Sequence, residues 1–225
     1  MAMRKVKFVE GEFYHIFNRG VDKKTIFPKQ NDLNRFFQSM EEFNVLDPIG
    51  SIYENSFNKK NKKLGNPATK SKQRLVNFIC YCLNPNHYHF ILEPLVENGI
   101  EKFIQKLGTG FTRHFNEKYK RNGVLFQGPF KAVHISSNEQ LLHTSVYVNL
   151  NDKVHQLGGG VTKFWKSSWR EYVDENIKNS FCTKDIVLKQ FKNKIDYKKF
   201  AKELLGSILE KRDIDEKDEK ELFLE

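Results

Sequence analysis

Two β-forming runs separated by Asn84-Pro85-Asn86 constrain this chain more than any other stretch. Residues 75–83 (LVNFICYCL) are almost continuously apolar and rich in β-branched and aromatic side chains, the composition of a buried strand. Residues 87–92 (HYHFIL) follow directly. A connection that short only lets the two runs pair antiparallel, as a hairpin. A buried hairpin needs further strands beside it and helices over it.

The flanking sequence supplies both. Residues 12–18 (EFYHIFN) alternate and end in the turn signal Asn18-Arg19-Gly20, so they are expected as a strand. Asn31 or Asp32 can cap a helix running to about residue 44, with Leu33, Phe36, Phe37, Met40 and Phe43 on one face. Pro48-Ile49-Gly50 breaks it, and residues 51–53 are expected as a short strand. A second helix spans about 99–119, its apolar face made by Ile100, Phe103, Ile104, Leu107, Phe111 and Phe115. Gly108 and Gly110 predict a kink there or a close backbone approach. Residues 131–135 form a strand, and Ser136, Ser137 or Asn138 caps a helix through about residue 150. The order predicts an α+β fold, a ferredoxin-like antiparallel sheet with helices packed on it.

Gly158-Gly159-Gly160 divides the chain into a domain over 1–157 and a C-terminal extension over 158–225, the latter with a helical region near 196–209. Charge follows this division. The net charge is +10, yet residues 210–225 carry eight acidic and four basic side chains, so the body holds the positive excess. Residues 55–74 add seven Lys/Arg and no acid, and read as a flexible basic loop. A basic body points to a polyanionic partner, and nucleic acid is the usual one.

The opening MAMRKVKFVEGEF has no apolar run after its charges and predicts no signal peptide. No apolar stretch is long enough to span a membrane. Cys80 and Cys82 stand two apart, poorly placed for a disulfide, and lack a second Cys/His pair for zinc. They read as buried, reduced thiols of a cytoplasmic protein.

Two groups of residues can do chemistry. On a strand His87 and His89 share a face and Tyr88 takes the other, so two imidazoles can hold one metal ion. On the helix from Asn138, residues Glu139, His143, Tyr147 and Asn151 recur every four positions and make a polar stripe. A phenol within that stripe, with an amide oxygen one turn on, is arranged to attack a phosphodiester beside a bound cation. Imidazoles with an amide oxygen suit Mg²⁺ or Mn²⁺ completed by phosphate and water. Arg19, Lys23, Lys24, Arg113, Lys118, Lys120, Arg121 and Lys131 are the candidate phosphate contacts, with aromatic side chains available to stack bases.

The chain resembles the single-tyrosine HUH transposases, in particular the REP-associated tyrosine transposases. The resemblance covers about residues 14–172 and rests on YHIFNRG (14–20), LNPNHYHFILE (83–93), TRHFNEKYKRNGVLFQGPFKA (112–132), YVNLN (147–151) and WKSSWREY (165–172). It implies cleavage and rejoining of hairpin-bearing single-stranded DNA through a 5′-phosphotyrosine. It also implies Tyr147 as nucleophile and His87, His89 and Asn151 as metal ligands. Two positions depart from the family pattern: Pro129 where Arg is common, and Asp152 where Pro is common. The resemblance leaves a monomer or a homodimer open. Two other readings compete with it: a silent nucleic-acid-binding regulator on the same fold, and a hydrolase using the two histidines alone.

Overall fold

The first strand, β1 (Phe13–Arg19), buries Tyr14 and Ile16 and turns His15 and Phe17 to the other face. The computed structural model describes residues 6–56, 73–155 and 164–222. After a 3-10 turn at Val21–Lys23, helix α1 (Gln30–Glu42) begins. Asp32 does not cap it from outside as expected. It lies in the first turn, and its carboxylate accepts from the Lys29 N–H at 3.0 Å.

The strand expected at 51–53 is instead the start of a helical turn over 52–56. Ser51 and Glu54 close a reciprocal capping box: Glu54 Oε2 accepts from Ser51 N at 2.7 Å, and Ser51 Oγ from Glu54 N at 3.0 Å. That pairing commits the segment to a helical start and outweighs the β-propensity of Ile52 and Tyr53. Most of the basic loop, residues 57–72, lies outside the described residues, as does the expected division at Gly158–Gly160.

The hairpin forms as expected, with β2 (Val76–Asn84) antiparallel to β3 (His87–Pro94). A register shift between Phe78 and Cys80 turns Ile79 and Cys80 to the same side of the sheet. Helix α2 (Gly99–Tyr119) then runs unbroken, so neither glycine kinks it. Gly110 serves the alternative role: a Cβ there would lie 2.6 Å from the Phe43 ring. β4 (Lys131–Ile135) pairs with β1, and helix α3 (Asn138–Asn149) is capped by Ser137, whose hydroxyl accepts from Gln140 N at 3.1 Å.

The C-terminal segment contributes α4 (Asn151–Val154), β5 (Lys166–Ser167), α5 (Trp169–Val173), α6 (Asp185–Leu188) and α7 (Lys194–Leu222). α7 runs well beyond the helical region expected near 196–209. β5 pairs with β2 and completes an antiparallel sheet in the order β4-β1-β3-β2-β5.

Helices cover both faces of that sheet. Tyr14, Ile16, Phe78, Tyr88 and Phe90 meet Phe36, Met40, Phe103 and Phe111 of α1 and α2 in one apolar cluster. On the other face Ile79, Cys80, Cys82 and Ile91 meet Leu141, Val146 and Val148 of α3, with Tyr172, Val187 and Tyr197 from the C-terminal segment. All three cysteines are free and buried. The fold is the expected α+β sheet.

α3 is fixed from beneath by a buried polar network rather than by apolar packing alone. Asn149 Nδ2 donates to Tyr197 Oη at 3.1 Å, and Ser168 Oγ donates to Asn149 Oδ1 at 2.6 Å. Ser145 Oγ lies 3.3 Å from Tyr197 Oη and donates to Leu142 O at 2.7 Å. Buried groups satisfied in this way hold a helix in one register.

Candidate active site

The β2–β3 turn carries the site, and the loop after β1 straps it down. Ile26 and Phe27 donate backbone N–H groups to Pro85 O at 2.7 and 3.0 Å, and Gly20 N donates to Asn86 O at 2.8 Å. Gly20 must be glycine, because a Cβ would collide with the Lys24 carbonyl. Asn86 Nδ2 donates to Lys23 O at 3.2 Å. This strap brings Arg19 and Lys23 beside the first residues of β3.

His87 and His89 project from the same face of β3, as the alternation requires, with their rings 5.2 Å apart and perpendicular. Tyr88 lies on the opposite face in the apolar core. His15, on the neighbouring strand, joins them: its Nε2 is 2.9 Å from His89 Nδ1. One of these nitrogens donates and the other accepts. That contact occupies His89 Nδ1, so Nε2 is the atom left for a ligand.

Tyr147 reaches the group from α3. Its ring meets His89 edge-on at 5.7 Å and His15 at 6.0 Å. Asn151 does not lie on the exposed stripe with Glu139 and His143. The helix breaks at Leu150 (φ −113°, ψ 20°), and Asn151 opens α4 with its side chain fully buried. Its Oδ1 accepts from Asn84 Nδ2 at 2.6 Å and lies 3.1 Å from His87 Nε2.

The hydrogen-bond arithmetic around His87 fits a cation. Nδ1 lies 2.6 Å from the Asn86 side-chain oxygen and must donate to it, which leaves the lone pair on Nε2. Asn151 Oδ1 brings further lone pairs to the same point. Asn84 Nδ2, 2.8 Å from His87 Nε2, is the one donor shared between them. Two acceptors facing each other across 3.1 Å are arranged as ligands are around a metal ion.

Electrostatics agree. Burial lowers His87 to about 4 and His15 to about 4. Burial, with the neighbouring His15, His87 and His155, holds His89 well below its ordinary value. All are neutral near pH 7, the form a metal requires.

A fourth imidazole, His155, sits beside them. One ring nitrogen from each of His87, His89 and His155 lies within 4.8 Å of the others. His155 and His15 both escaped the sequence reading. His155 had a signal, since it stands four residues after Asn151 and continues the four-residue spacing past the expected helix end. His15 had none beyond its place on an alternating strand, because the neighbouring strand's register decides what it meets. His87, His89, His155 and Tyr147 line one cavity of about 620 Å³ with Phe17, Arg19, Lys23, Gln127 and Lys131. A second cavity adjoins it through Tyr147 and His155 and is walled by His143, Ser207, Ile208, Lys211 and Arg212.

Residues 52–151 match the family model described as "Transposase IS200 like". Over that span the chain is similar to the IS200-like transposases. The matched span contains both β3 histidines, Tyr147 and Asn151. No curated protein matches the chain. A solved chain described as "Structure of the REP associates tyrosine transposase bound to a REP hairpin" is similar at 14% identity, with a TM-score of 0.47, over 80% of this chain and 89% of that one.

The eight basic candidates separate in the structure. Arg19, Lys23 and Lys131 border the histidine cavity. The Arg19 guanidinium is 2.5 Å from Gln127 Oε1, which aims it along the rim. Lys24 is exposed and pairs with Asp22 at 3.5 Å. Arg113 lies on α2, beside cavities away from the histidines. Lys118 serves a structural purpose: it pairs at 2.5 Å with Asp32, which is fully buried and also accepts from Tyr119 Oη at 2.6 Å. Lys120 ends α2 in a left-handed conformation (φ 50°), and Arg121 donates to Val124 O at 3.0 Å.

Proposed function

We propose that this protein cuts and rejoins single-stranded DNA through Tyr147, with Mg²⁺ or Mn²⁺ held by His87, His89 and Asn151. The observation that carries the reading is the convergence of a phenol from α3 on two neutral imidazoles from β3 in a cavity rimmed by Arg19, Lys23 and Lys131. The rim cations take up the flanking phosphates and orient the scissile one. A bound cation supplies charge neutralisation on the phosphate oxygens and polarises the phosphorus.

The Tyr147 phenol gives up its proton to solvent as its oxygen attacks phosphorus. One P–O bond forms to the tyrosine and the bond to the 3′ oxygen breaks; that oxygen takes up a proton and leaves as a 3′-hydroxyl, with the 5′-phosphate held on the tyrosine. Because one phosphoester replaces another, reversal rejoins the strand without an energy source. His15 holds His89 in one orientation, and the buried network under α3 holds the helix that carries Tyr147.

Hairpin-bearing single-stranded DNA is the substrate class that the family resemblance implies. The test is incubation of the full chain with a pool of hairpin-bearing single-stranded oligonucleotides and Mn²⁺, followed by sequencing of the DNA attached to protein. Tyr147→Phe is expected to abolish the covalent adduct while DNA binding persists. An adduct that survives in this variant removes Tyr147 from the role. Binding with no adduct in the wild type identifies a silent DNA-binding regulator instead.

A further inference from the structure

We propose that His155 is a third imidazole ligand and that it makes this a transition-metal site, taking Co²⁺, Zn²⁺ or Mn²⁺ well ahead of Mg²⁺. The inference rests on the reading of His87, His89 and Asn151 as a metal site and extends it to a residue outside the matched family span.

Position is the first argument. His155 closes α4, with its backbone N–H donating to Asn151 O at 3.1 Å. The same helical turn therefore fixes both Asn151 and His155. The His155 ring stands edge-on to His87 at 5.1 Å. An exposed histidine at a helix end usually faces water, but here one of its ring nitrogens lies within 4.8 Å of one on His87 and one on His89. The neighbouring backbone is held too, since the Arg212 side chain donates to Val154 O.

Distance is the second. Three nitrogens bonded to one ion at about 2.1 Å lie about 3.0–3.5 Å apart. The observed limit is 4.8 Å. Ring movement of roughly 1–2 Å closes the difference. His155 can supply it, because its ring is exposed rather than packed.

The donor set is the third. Mg²⁺ binds oxygen, favours carboxylates and sheds water reluctantly. The cluster here contains three imidazoles and no carboxylate, and the cavity it lines carries none either. The oxygen available is the neutral Asn151 amide. Three nitrogens and one amide oxygen form a set suited to borderline divalent ions. A six-coordinate ion would still have places for a phosphate oxygen and water.

The test uses the full-length protein without DNA, freed of metal by chelation and titrated with Co²⁺ and with Mg²⁺. Visible absorption follows cobalt coordination, and calorimetry gives both affinities. Losing a partner that merely orients a ligand costs about 10–100-fold in affinity, so His155→Ala should weaken Co²⁺ binding by at least about tenfold and alter its absorption bands. Mg²⁺ binding should change by less than about twofold, because imidazole suits transition ions rather than Mg²⁺. His155→Gln, which keeps a polar side chain, should show the same cobalt loss. Ring-nitrogen NMR of the wild type gives a readout that needs no variant: adding Zn²⁺ should shift a His155 nitrogen along with those of His87 and His89.

Unchanged Co²⁺ affinity and bands in His155→Ala, or an unshifted His155 ring, overturns the inference. Cobalt loss in His155→Ala with no DNA adduct in the wild type sinks the transesterification reading and leaves this one standing. An adduct in the wild type with no cobalt loss in His155→Ala does the reverse.

Discussion

The network beneath α3 gives a quantitative prediction for Tyr197→Phe. Tyr197 is fully buried, and its hydroxyl accepts from Asn149 Nδ2 at 3.1 Å while facing Ser145 Oγ at 3.3 Å. Phenylalanine fills nearly the same volume, so no cavity term enters. Ser145 keeps its bond to Leu142 O. The loss concentrates on Asn149, whose amide N–H is left buried and unpaired, at about 1–3 kcal/mol. We therefore expect destabilisation of about 2 kcal/mol, a fall of roughly 4–8 °C in Tm for a chain of this size. Urea denaturation at pH 7.5 measures it, with the m-value unchanged. Slower adduct formation at unchanged DNA affinity should accompany it, because the network lies under the helix that carries Tyr147. A stability change below about 0.5 kcal/mol, the size expected of an ordinary surface substitution, would refute the claim that these bonds hold the helix.

Three further outcomes are expected. His15 and His87 sit at about 4 in the folded protein against 6.5 in the open chain, so the unfolded state binds more protons between those values and stability falls as pH drops through that window. The loss at pH 5 relative to pH 7.5 is roughly 2 kcal/mol for each ring, and a urea midpoint that does not move between these pH values would contradict the burial argument. Within α2 the two glycines should respond oppositely. Gly108→Ala meets open space and gains about 0.5–1 kcal/mol. Gly110→Ala drives a methyl into Phe43 and costs about 1–3 kcal/mol; thermal melts of the two variants decide it. Finally, Lys131→Ala should lower the salt dependence of single-strand binding by about 0.7 in log–log slope. Lys118→Ala should leave that slope unchanged while destabilising the fold by about 1–3 kcal/mol, because it removes the cation from the buried Asp32 carboxylate, which keeps its bonds from Lys29 N and Tyr119 Oη.

The convergence of the candidate residues was easier to read in the sequence than their surroundings. His87, His89 and Tyr147 could be placed because strand and helix periods dictate direction, and the structure brings all three to one cavity. Asn151 was read one turn beyond Tyr147 on a continuous helix, but the break at Leu150 turns it inward to His87. A single non-helical residue decided that, and no periodicity announces it. His15 and the roles of Ser145, Asn149 and Ser168 depend on strand register and on helices far along the chain. Local pattern cannot carry such long-range pairing. The turn at residues 52–56 was legible in principle, since Ser51 and Glu54 spell a capping box. The β-propensity of Ile52 and Tyr53 points to a strand, and the cap overrides it.

The edge strand β5 sets an order for assembly. β2 offers its outer side to Lys166 and Ser167, and the Ser168 hydroxyl accepts from the backbone of Tyr81, 87 residues earlier. A ribosome making about 5–20 residues per second leaves that side of β2 open for several seconds before its neighbour exists. The hairpin bearing His87 and His89 is thus completed by the last third of the chain, and a nascent protein halted before residue 166 would present a bare, aggregation-prone rim to its neighbours.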